Sequence, residues 1–531
     1  MKQKAHIWAV AAMMFCGIGS MIAQQRNTLF DDDWEFIKDG QEAVVVDLPH
    51  DWSILGVPSA DEPSGNDGGY YPTGKAQYRK VLHMKQVAPD RRYALYFEGV
   101  YMNAEVVVNG TSTGVQHYGY SSFLRDITPL LHEGDNEIVV NVDNSQQRNT
   151  RWYTGSGIYR HVWLIETADV HFKHWGTFIT TPVVDASGTS LVSVKTVLVN
   201  ESDRERVMQV AVSLQGTTND GGSLNAAKET IVRLQPNEER EAELLIDVPN
   251  ACLWSPDTPH LYEANLTVAE QDNPNEPIDQ VTETFGIRSI AFNAEQGFLL
   301  NGQPIELNGG CLHHDNGILG ASAFDRAEER KAELMKAAGF NAVRTSHNHP
   351  SSAFLAACDR IGLLVIDEAF DGWRVAKTPH DYSKYIDQHW RDDLAALVLR
   401  DRNHPSIFAW SMGNEVIERK EIQVVTTARK LARYCRELDP TRPVTSALCA
   451  WDSDWEIYDP LAEAFELVGY NYMIFKHRTD HERDPQRVMY QSESYPRDAF
   501  RNWAYSADYP YIFGDFVWTA VDYQGESGIG R

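Results

Sequence analysis

The sequence predicts two consecutive β-sandwiches, the first jelly-roll-like and the second Ig-like, followed by a parallel (β/α)8 TIM barrel. Three observations carry that reading. Up to about residue 288 the chain is a series of short strand-like runs punctuated by turn residues. After Arg288 strand-like runs alternate with helical ones, the mark of a parallel α/β sheet. That alternation yields eight candidate strands, which favours a closed barrel over an open sheet. At ~100–200 residues per domain, a chain of 531 residues holds about three such units.

The first sandwich is expected over residues 24–166. Runs at 94–97 and 104–108 are strand-like, Asn109-Gly110 is a tight-turn signal, and 137–142 alternates in part. The second is expected over 167–288, with strands at 191–199, 207–214, 230–234, 242–248 and 262–268. Turn residues at 216–222 and Pro236-Asn237 separate them. The barrel takes residues 289–531. Strand one, at 305–307, leads to Gly309-Gly310-Cys311-Leu312-His313-His314, and a charged helix follows over 325–338. Strand two, at 341–344, ends in Thr345-Ser346-His347. Strand three, at 363–366, ends in Asp367-Glu368. Trp390, Leu394, Leu397 and Val398 recur at i, i+4, i+7 and i+8, which makes a helix. Asn403-His404-Pro405 stops it, because proline disfavours helical geometry in the residue before it. Strand four is the apolar run 407–412, and strands five to eight follow at 444–447, 467–472, 488–491 and 511–518. Few residues follow Trp518, so the barrel is expected to lack its last outer helix or the chain to be part of a longer protein.

Composition bounds the function. Hydrophobic residues are 43% and charged residues 23%, the balance of a globular protein with a sizeable core. A formal net charge of -27 argues against nucleic acid as a partner, since such binders carry a basic footprint, and suits a neutral substrate. Residues 1–23 read as a secretory signal peptide: Lys2 and Lys4 start it, an apolar run follows, and Ala23 offers a cleavage point. No later apolar stretch approaches the ~20 residues of a membrane span. Secretion, to the periplasm of a Gram-negative bacterium, and no stable membrane span after cleavage are therefore expected. Beyond Cys16 the five cysteines Cys252, Cys311, Cys358, Cys435 and Cys449 are scattered, which gives neither a disulfide framework nor a zinc pattern. Buried thiols are expected.

The chemistry concentrates in the barrel. Gly413 ends strand four, and Asn414-Glu415 emerges at its carboxyl end, where parallel barrels carry their active sites. Glu493 follows strand seven in the same way. Taken alone, each is most simply a solvated or salt-bridged surface glutamate, because most glutamates are exposed. Two that fall just past buried strands of one barrel face the same mouth. Paired carboxylates flanking one bond are what glycosidic cleavage needs: one protonates the leaving oxygen, and the other stabilises or bonds to the anomeric carbon.

Several motifs together resemble glycoside hydrolase family 2, and within it the bacterial β-galactosidases. They are Leu48-Pro49-His50-Asp51-Trp52, Gly155-Ser156-Gly157-Ile158-Tyr159-Arg160, Phe285-Gly286-Ile287-Arg288, the stretch from Phe340 to His347, and the stretch from Asp401 to Glu415. The resemblance implies a secreted retaining exo-glycosidase acting on a β-glycoside or oligosaccharide, with Glu415 as acid/base and Glu493 as nucleophile. It implies that Asn414 bonds the sugar 2-hydroxyl, that Tyr472 bonds the nucleophile, that His313 and His347 contact sugar hydroxyls, and that Trp518 stacks on the sugar. Arg344 is expected to orient an active-site carboxylate, with Asp367, Glu368 and Asp371 in supporting positions. Some relatives hold magnesium beside the acid/base through an acid and a histidine after strand three. Here Asp371 matches the acid, but Trp373 stands at the histidine position. Indole does not ligate a hard cation, so no metal and no other cofactor is expected. β-Glucuronidase and β-mannosidase on the same scaffold are the enzyme alternatives. The Asn-x-Lys element of glucuronidases would fall at about Arg531 or beyond. A non-catalytic carbohydrate-binding protein or an inactive fragment is the alternative of another class.

Overall fold

A computed structural model describes residues 26–449 and 453–525; the expected signal segment lies outside them. The first sandwich packs a four-stranded sheet on a six-stranded one. The four-stranded sheet runs Asn27–Leu29, Val162–Ala168, Arg91–Phe97, Phe123–Asp126. The six-stranded sheet runs Val44–Val46, Trp34–Lys38, Gly74–Met84, Gly134–Asn144, Ala104–Val108, Thr111–Gln116. Its inward residues recur at the strand period of two: Ala104, Val106 and Val108 beside Ile138, Val140 and Val142, all buried. At the Asn109-Gly110 turn both residues have positive φ, 49° and 79°, and Val108 pairs with Thr111, as a two-residue hairpin requires.

In the second sandwich Thr189–Asn200 pairs with Val170–Phe172, Phe178–Val183 and Glu238–Pro249, facing a sheet ordered Ser223–Leu234, Arg206–Thr217, Tyr262–Glu270, Asp279–Phe285. Three of these strands, Val170–Phe172, Phe178–Val183 and Asp279–Phe285, have no counterpart in the sequence reading. They are short or carry many polar residues, so hydrophobic periodicity is weak there.

The barrel closes on itself through parallel pairs. Its strands are β1 (Leu307–Leu312), β2 (Ala342–Thr345), β3 (Leu364–Glu368), β4 (Ile407–Asn414), β5 (Val444–Cys449), β6 (Leu467–Asn471), β7 (Val488–Ser494) and β8 (Ile512–Val517). β1 lies further along the chain than residues 305–307. Gly309 and Gly310 look like a loop in sequence but are strand, because nothing larger fits. A Cβ on Gly309 would meet Phe516 at 2.3 Å, and one on Gly310 would meet the Ala520 Cβ at 2.4 Å. β4 and β7 run two and three residues beyond their apolar stretches, to Asn414 and Ser494, because the upper barrel interior is polar. A hairpin of Ile290–Asn293 and Gly297–Leu300 covers the opposite end. Phe298 stacks on Phe292 at 4.4 Å and on Phe408 at 5.2 Å, so the polar mouth stands on an apolar floor.

Helices α1 (Asp325–Ala337), α2 (Ser352–Ile361), α3 (Ile386–Asp401) and α4 (Ile422–Leu438) cover the outside, with short ones after β5 and β6 and Ala499–Asp508, as long as α2, after β7. Sequence sets their ends. Ser351 accepts from the Phe354 N–H at 3.1 Å, and Gly362 stops α2 at φ 81°. Within the described residues no helix follows β8, and β8 still pairs with β1 to complete the ring. Among the described residues no helix is long and apolar enough to cross a membrane, and the five cysteines are buried and free.

Candidate active site

Strand alternation decides which side chains meet at the mouth. On β3, Leu364 and Ile366 join the interior cluster, and Val365 joins the outer one. Glu368 therefore points inward and Asp367 outward. Asp367 faces Asp401 and Arg400 of α3; burial first, and then the Asp401 charge, push its carboxyl well above the usual range. It stands apart from the other predicted site residues because it lies one residue out of phase with the inward-facing Leu364, Ile366 and Glu368.

Arg344, on β2 and fully buried, is the hub. Its guanidinium forks onto Glu368, with Nε to Oε2 at 2.9 Å and Nη2 to Oε1 at 2.9 Å, and its Nη1 donates to Glu493 Oε1 at 3.0 Å. Nη2 also donates to Asn414 Oδ1 at 3.1 Å. Burial alone would raise Glu368, but Arg344 and His347 hold it below the ordinary carboxylate range. Glu493 takes a second bond from the Tyr472 hydroxyl at 3.0 Å. Asn471, at the end of β6, donates to Glu415 Oε1 and to Asn414 Oδ1, each at 3.0 Å. The two carboxylates thus hang on one continuous chain of side chains: Glu415, Asn471, Asn414, Arg344, Glu493. Burial and then the charge of Glu415 push the Glu493 carboxyl up to about 7, as expected where two acids resist double ionisation.

His347 is buried neutral, lowered by burial. Its Nδ1 meets Glu368 Oε1 at 2.6 Å and its Nε2 meets Asn414 Nδ2 at 3.3 Å. Both ring nitrogens have protein partners, so it supports Glu368 and Asn414 rather than presenting a free edge. His313 differs: neither ring nitrogen has a partner, and burial drives it well below its usual value. Its ring lies 5.0 Å from Trp152 and 5.3 Å from Trp518. Trp518 is half-buried and stacks on His347 at 5.1 Å and 7°.

Asp371 accepts from Lys377 Nζ at 2.7 Å, from Arg151 Nη2 at 2.9 Å and from Asn414 Nδ2 at 3.2 Å. Against the cost of burial, Arg151 and then Lys377 hold its carboxyl far below the ordinary range. Trp373 is buried and gives its indole N–H to the Met412 carbonyl at 2.9 Å. These donors do not suit a hard cation: the one carboxylate is taken by two side-chain cations, and the indole offers no oxygen. Among the described residues no group of three His, Cys, Asp or Glu is arranged to hold a metal.

Four contributors escaped the sequence reading. Asn471 sits next to the singled-out Tyr472. Lys377 is a lone loop lysine. Arg151 and Trp152 come from the first sandwich, just before the Gly155–Arg160 motif. A cavity of about 40 Å³ lies between sandwich and barrel, lined by Tyr101, Tyr120, Arg151, Trp152, His347 and Asp371 among others.

Comparison with known proteins matches this architecture throughout. The sugar binding domain of glycosyl hydrolases family 2 matches residues 24–168, the family's central domain matches 170–288 and its TIM barrel domain matches 292–526. The chain is 38% identical over 507 residues to the β-galactosidase BoGH2A of Bacteroides ovatus, covering 86% of this chain and 58% of that protein. It is 25% identical over 562 residues to a β-glucuronidase of Bacteroides fragilis, covering 95% of this chain and 77% of that one. A crystal structure of a glycosyl hydrolase family 2 member from Bacteroides cellulosilyticus superposes with a TM-score of 0.86 at 40% identity, over 95% of this chain and 68% of that one. With three domain models matched in order and a buried carboxylate at the mouth end of both β4 and β7, the chain belongs to glycosyl hydrolases family 2.

Proposed function

We propose that the chain is a retaining exo-glycosidase that hydrolyses terminal β-D-galactosides by double displacement. The observation that carries this is the side-chain network joining Glu415 to Glu493 through Asn471, Asn414 and Arg344. Glu493, which accepts from the Arg344 guanidinium and the Tyr472 hydroxyl, attacks the anomeric carbon in its ionised form. Glu415 passes a proton to the glycosidic oxygen as the bond breaks. Esterification of Glu493 removes its negative charge, and Glu415 then takes a proton from the water that releases the sugar. Asn414, oriented by Arg344, Asn471 and His347, bonds the sugar 2-hydroxyl. His313, with two unpartnered ring nitrogens, bonds a further hydroxyl, and Trp518 stacks on the ring.

The sugar assignment rests on the 38% identity to the Bacteroides ovatus β-galactosidase, against 31% to a putative β-glucuronidase of Formosa agariphila and 25% to the Bacteroides fragilis β-glucuronidase; these two keep β-glucuronide as the second reading. The basic start and apolar run of residues 1–23 support secretion to the periplasm. Parallel assays on nitrophenyl β-galactoside, β-glucuronide and β-mannoside test the function. The highest kcat/KM is expected on the galactoside. A higher value on the glucuronide would reassign the sugar. Sugar binding without turnover of any substrate would make the chain a carbohydrate binder.

A further inference from the structure

Glu415 occupies a backbone position that side-chain-bearing residues rarely adopt, with φ 43°. Such a conformation persists only where its surroundings over-determine it. Three bonds do so here. The Glu415 N–H donates to the Ala447 carbonyl at 2.9 Å, and the Asn414 N–H donates to the Asp371 carbonyl at 3.2 Å. The carbonyl of Asn414, part of the peptide leading into Glu415, accepts from Lys377 Nζ at 2.7 Å.

Lys377 has little freedom to do anything else. Its side chain is 4% exposed, and its other two bonds both go to Asp371, at 2.7 Å to Oδ1 and 2.9 Å to the carbonyl. Arg151 grips the same Oδ1 from the first sandwich. Burying an ammonium costs free energy unless it is paired and fully bonded. A surface loop that merely needed a solvated lysine would not bury it here. Burial lowers its proton affinity; the charge of Asp371 opposes that loss, Arg151 adds to it, and the charge of Glu415 opposes it.

We propose that Lys377, anchored by Asp371 and by Arg151 of the first sandwich, is a positioning residue that fixes the peptide between Asn414 and Glu415 and so aims the Glu415 carboxyl at the leaving oxygen. The inference rests on the acid/base role proposed for Glu415. It makes the first sandwich a working part of the site: Arg151 reaches across the domain joint to hold the carboxylate that holds the lysine.

The test uses the full chain and kcat/KM on two aryl β-galactosides, one with an activated dinitrophenyl leaving group and one with unsubstituted phenol. Glu415→Ala serves as reference. Lys377→Met is expected to lose about 10²-fold on the phenyl substrate, the scale of a misplaced catalytic group, and less than about 5-fold on the dinitrophenyl one, which needs little proton donation. Lys377→Arg should recover part of the phenyl activity. Arg151→Met should show the same selectivity at about 10-fold, and it carries the test if Lys377→Met does not fold. Equal losses on both substrates in the Lys377 and Arg151 variants, with Glu415→Ala still selective, would overturn the inference alone. A Glu415→Ala variant without selectivity would overturn the acid/base role and the inference with it.

Discussion

Glu493 receives a guanidinium N–H and a phenolic O–H, each at 3.0 Å, while Glu415 receives the amide of Asn471 at 3.0 Å. Two acids in such different company are suited to different tasks. Glu493→Gln keeps the shape and the donors' geometry but removes the nucleophile, so turnover of every substrate should fall by about 10⁴-fold or more. Glu415→Ala removes proton transfer, along with the acceptor of one Asn471 bond. Poor leaving groups should suffer most, and added azide should restore part of the turnover of an activated substrate by attacking the intermediate without base help. Equal losses on good and poor leaving groups, with no azide rescue, would remove Glu415 from that role. The grip of Arg151 and Lys377 on Asp371 leads to a third expectation: dialysis against EDTA leaves kcat/KM unchanged. Activity lost on dialysis and recovered with magnesium would contradict it.

Two loops of the first sandwich meet the barrel around a single buried carboxylate. Asp51 Oδ1 accepts from the N–H groups of Ser53 and Ser156 at 3.0 and 2.9 Å. Its Oδ2 accepts from the Tyr153 hydroxyl at 2.5 Å and from the N–H of Ala321, after β1 of the barrel, at 2.8 Å. Asp51→Asn turns an amide N–H₂ against donors that have no other acceptor. The cost should be about 2–4 kcal/mol of stability, read as a lower melting temperature of the full chain, and an unchanged melting temperature would show that the joint tolerates the loss. Gly155 belongs to the same joint: at φ 67° a Cβ would meet the Ala321 Cβ at 2.5 Å. The motifs around Asp51 and Gly155 are thus legible in sequence as specific, but what they specify is docking rather than chemistry. Glu415 and Glu493 could be found because each follows a solid apolar run, and such runs bury predictably. β1 was misplaced because its glycines answer to Phe516 and Ala520, neighbours remote in sequence. Asp367 could not be separated from Glu368 without the strand's phase. Lys377 and Arg151 left no local signal, since a lysine that grips a peptide carbonyl looks, in sequence, like one in water.

Across the whole molecule, buried titratable groups pull the pH dependence of stability in opposing directions. Burial pushes Asp315 and Asp393 up to about 6, and Glu493 and Asp515 up to about 7, while the unfolded chain ionises such groups near ~4. The native state therefore holds protons that the unfolded state has released, and the stability these groups contribute is full below ~4 and lost as pH rises through 6 to 7. His161 acts in the same sense at higher pH. Burial opposes its charge, but the carboxylates of Asp31 and Asp325 raise it to about 10, so its contribution is complete below ~6.5 and lost as pH climbs toward 10. Burial lowers His50, His171 and His477 to about 4, and His174 and His314 to about 3. Their contribution is present above ~6.5 and is lost as pH falls through those values. The two sets nearly offset one another between about pH 5 and 6.5, and above that only the losing set acts. The melting temperature should accordingly be highest near pH 6 and lower at pH 9, and a curve that rises over that interval would contradict this balance. Glu493 supplies the sharper check. At pH 8 its native carboxylate is ionised at a cost imposed by burial and by Glu415, and a glutamine there has no charge to bear. Glu493→Gln should therefore melt above the parent at pH 8, while at pH 5, where the native glutamate is already protonated, the difference should vanish. A variant that is less stable at both values would mean that Arg344 loses more with its partner than the acid pair loses by sharing one cavity.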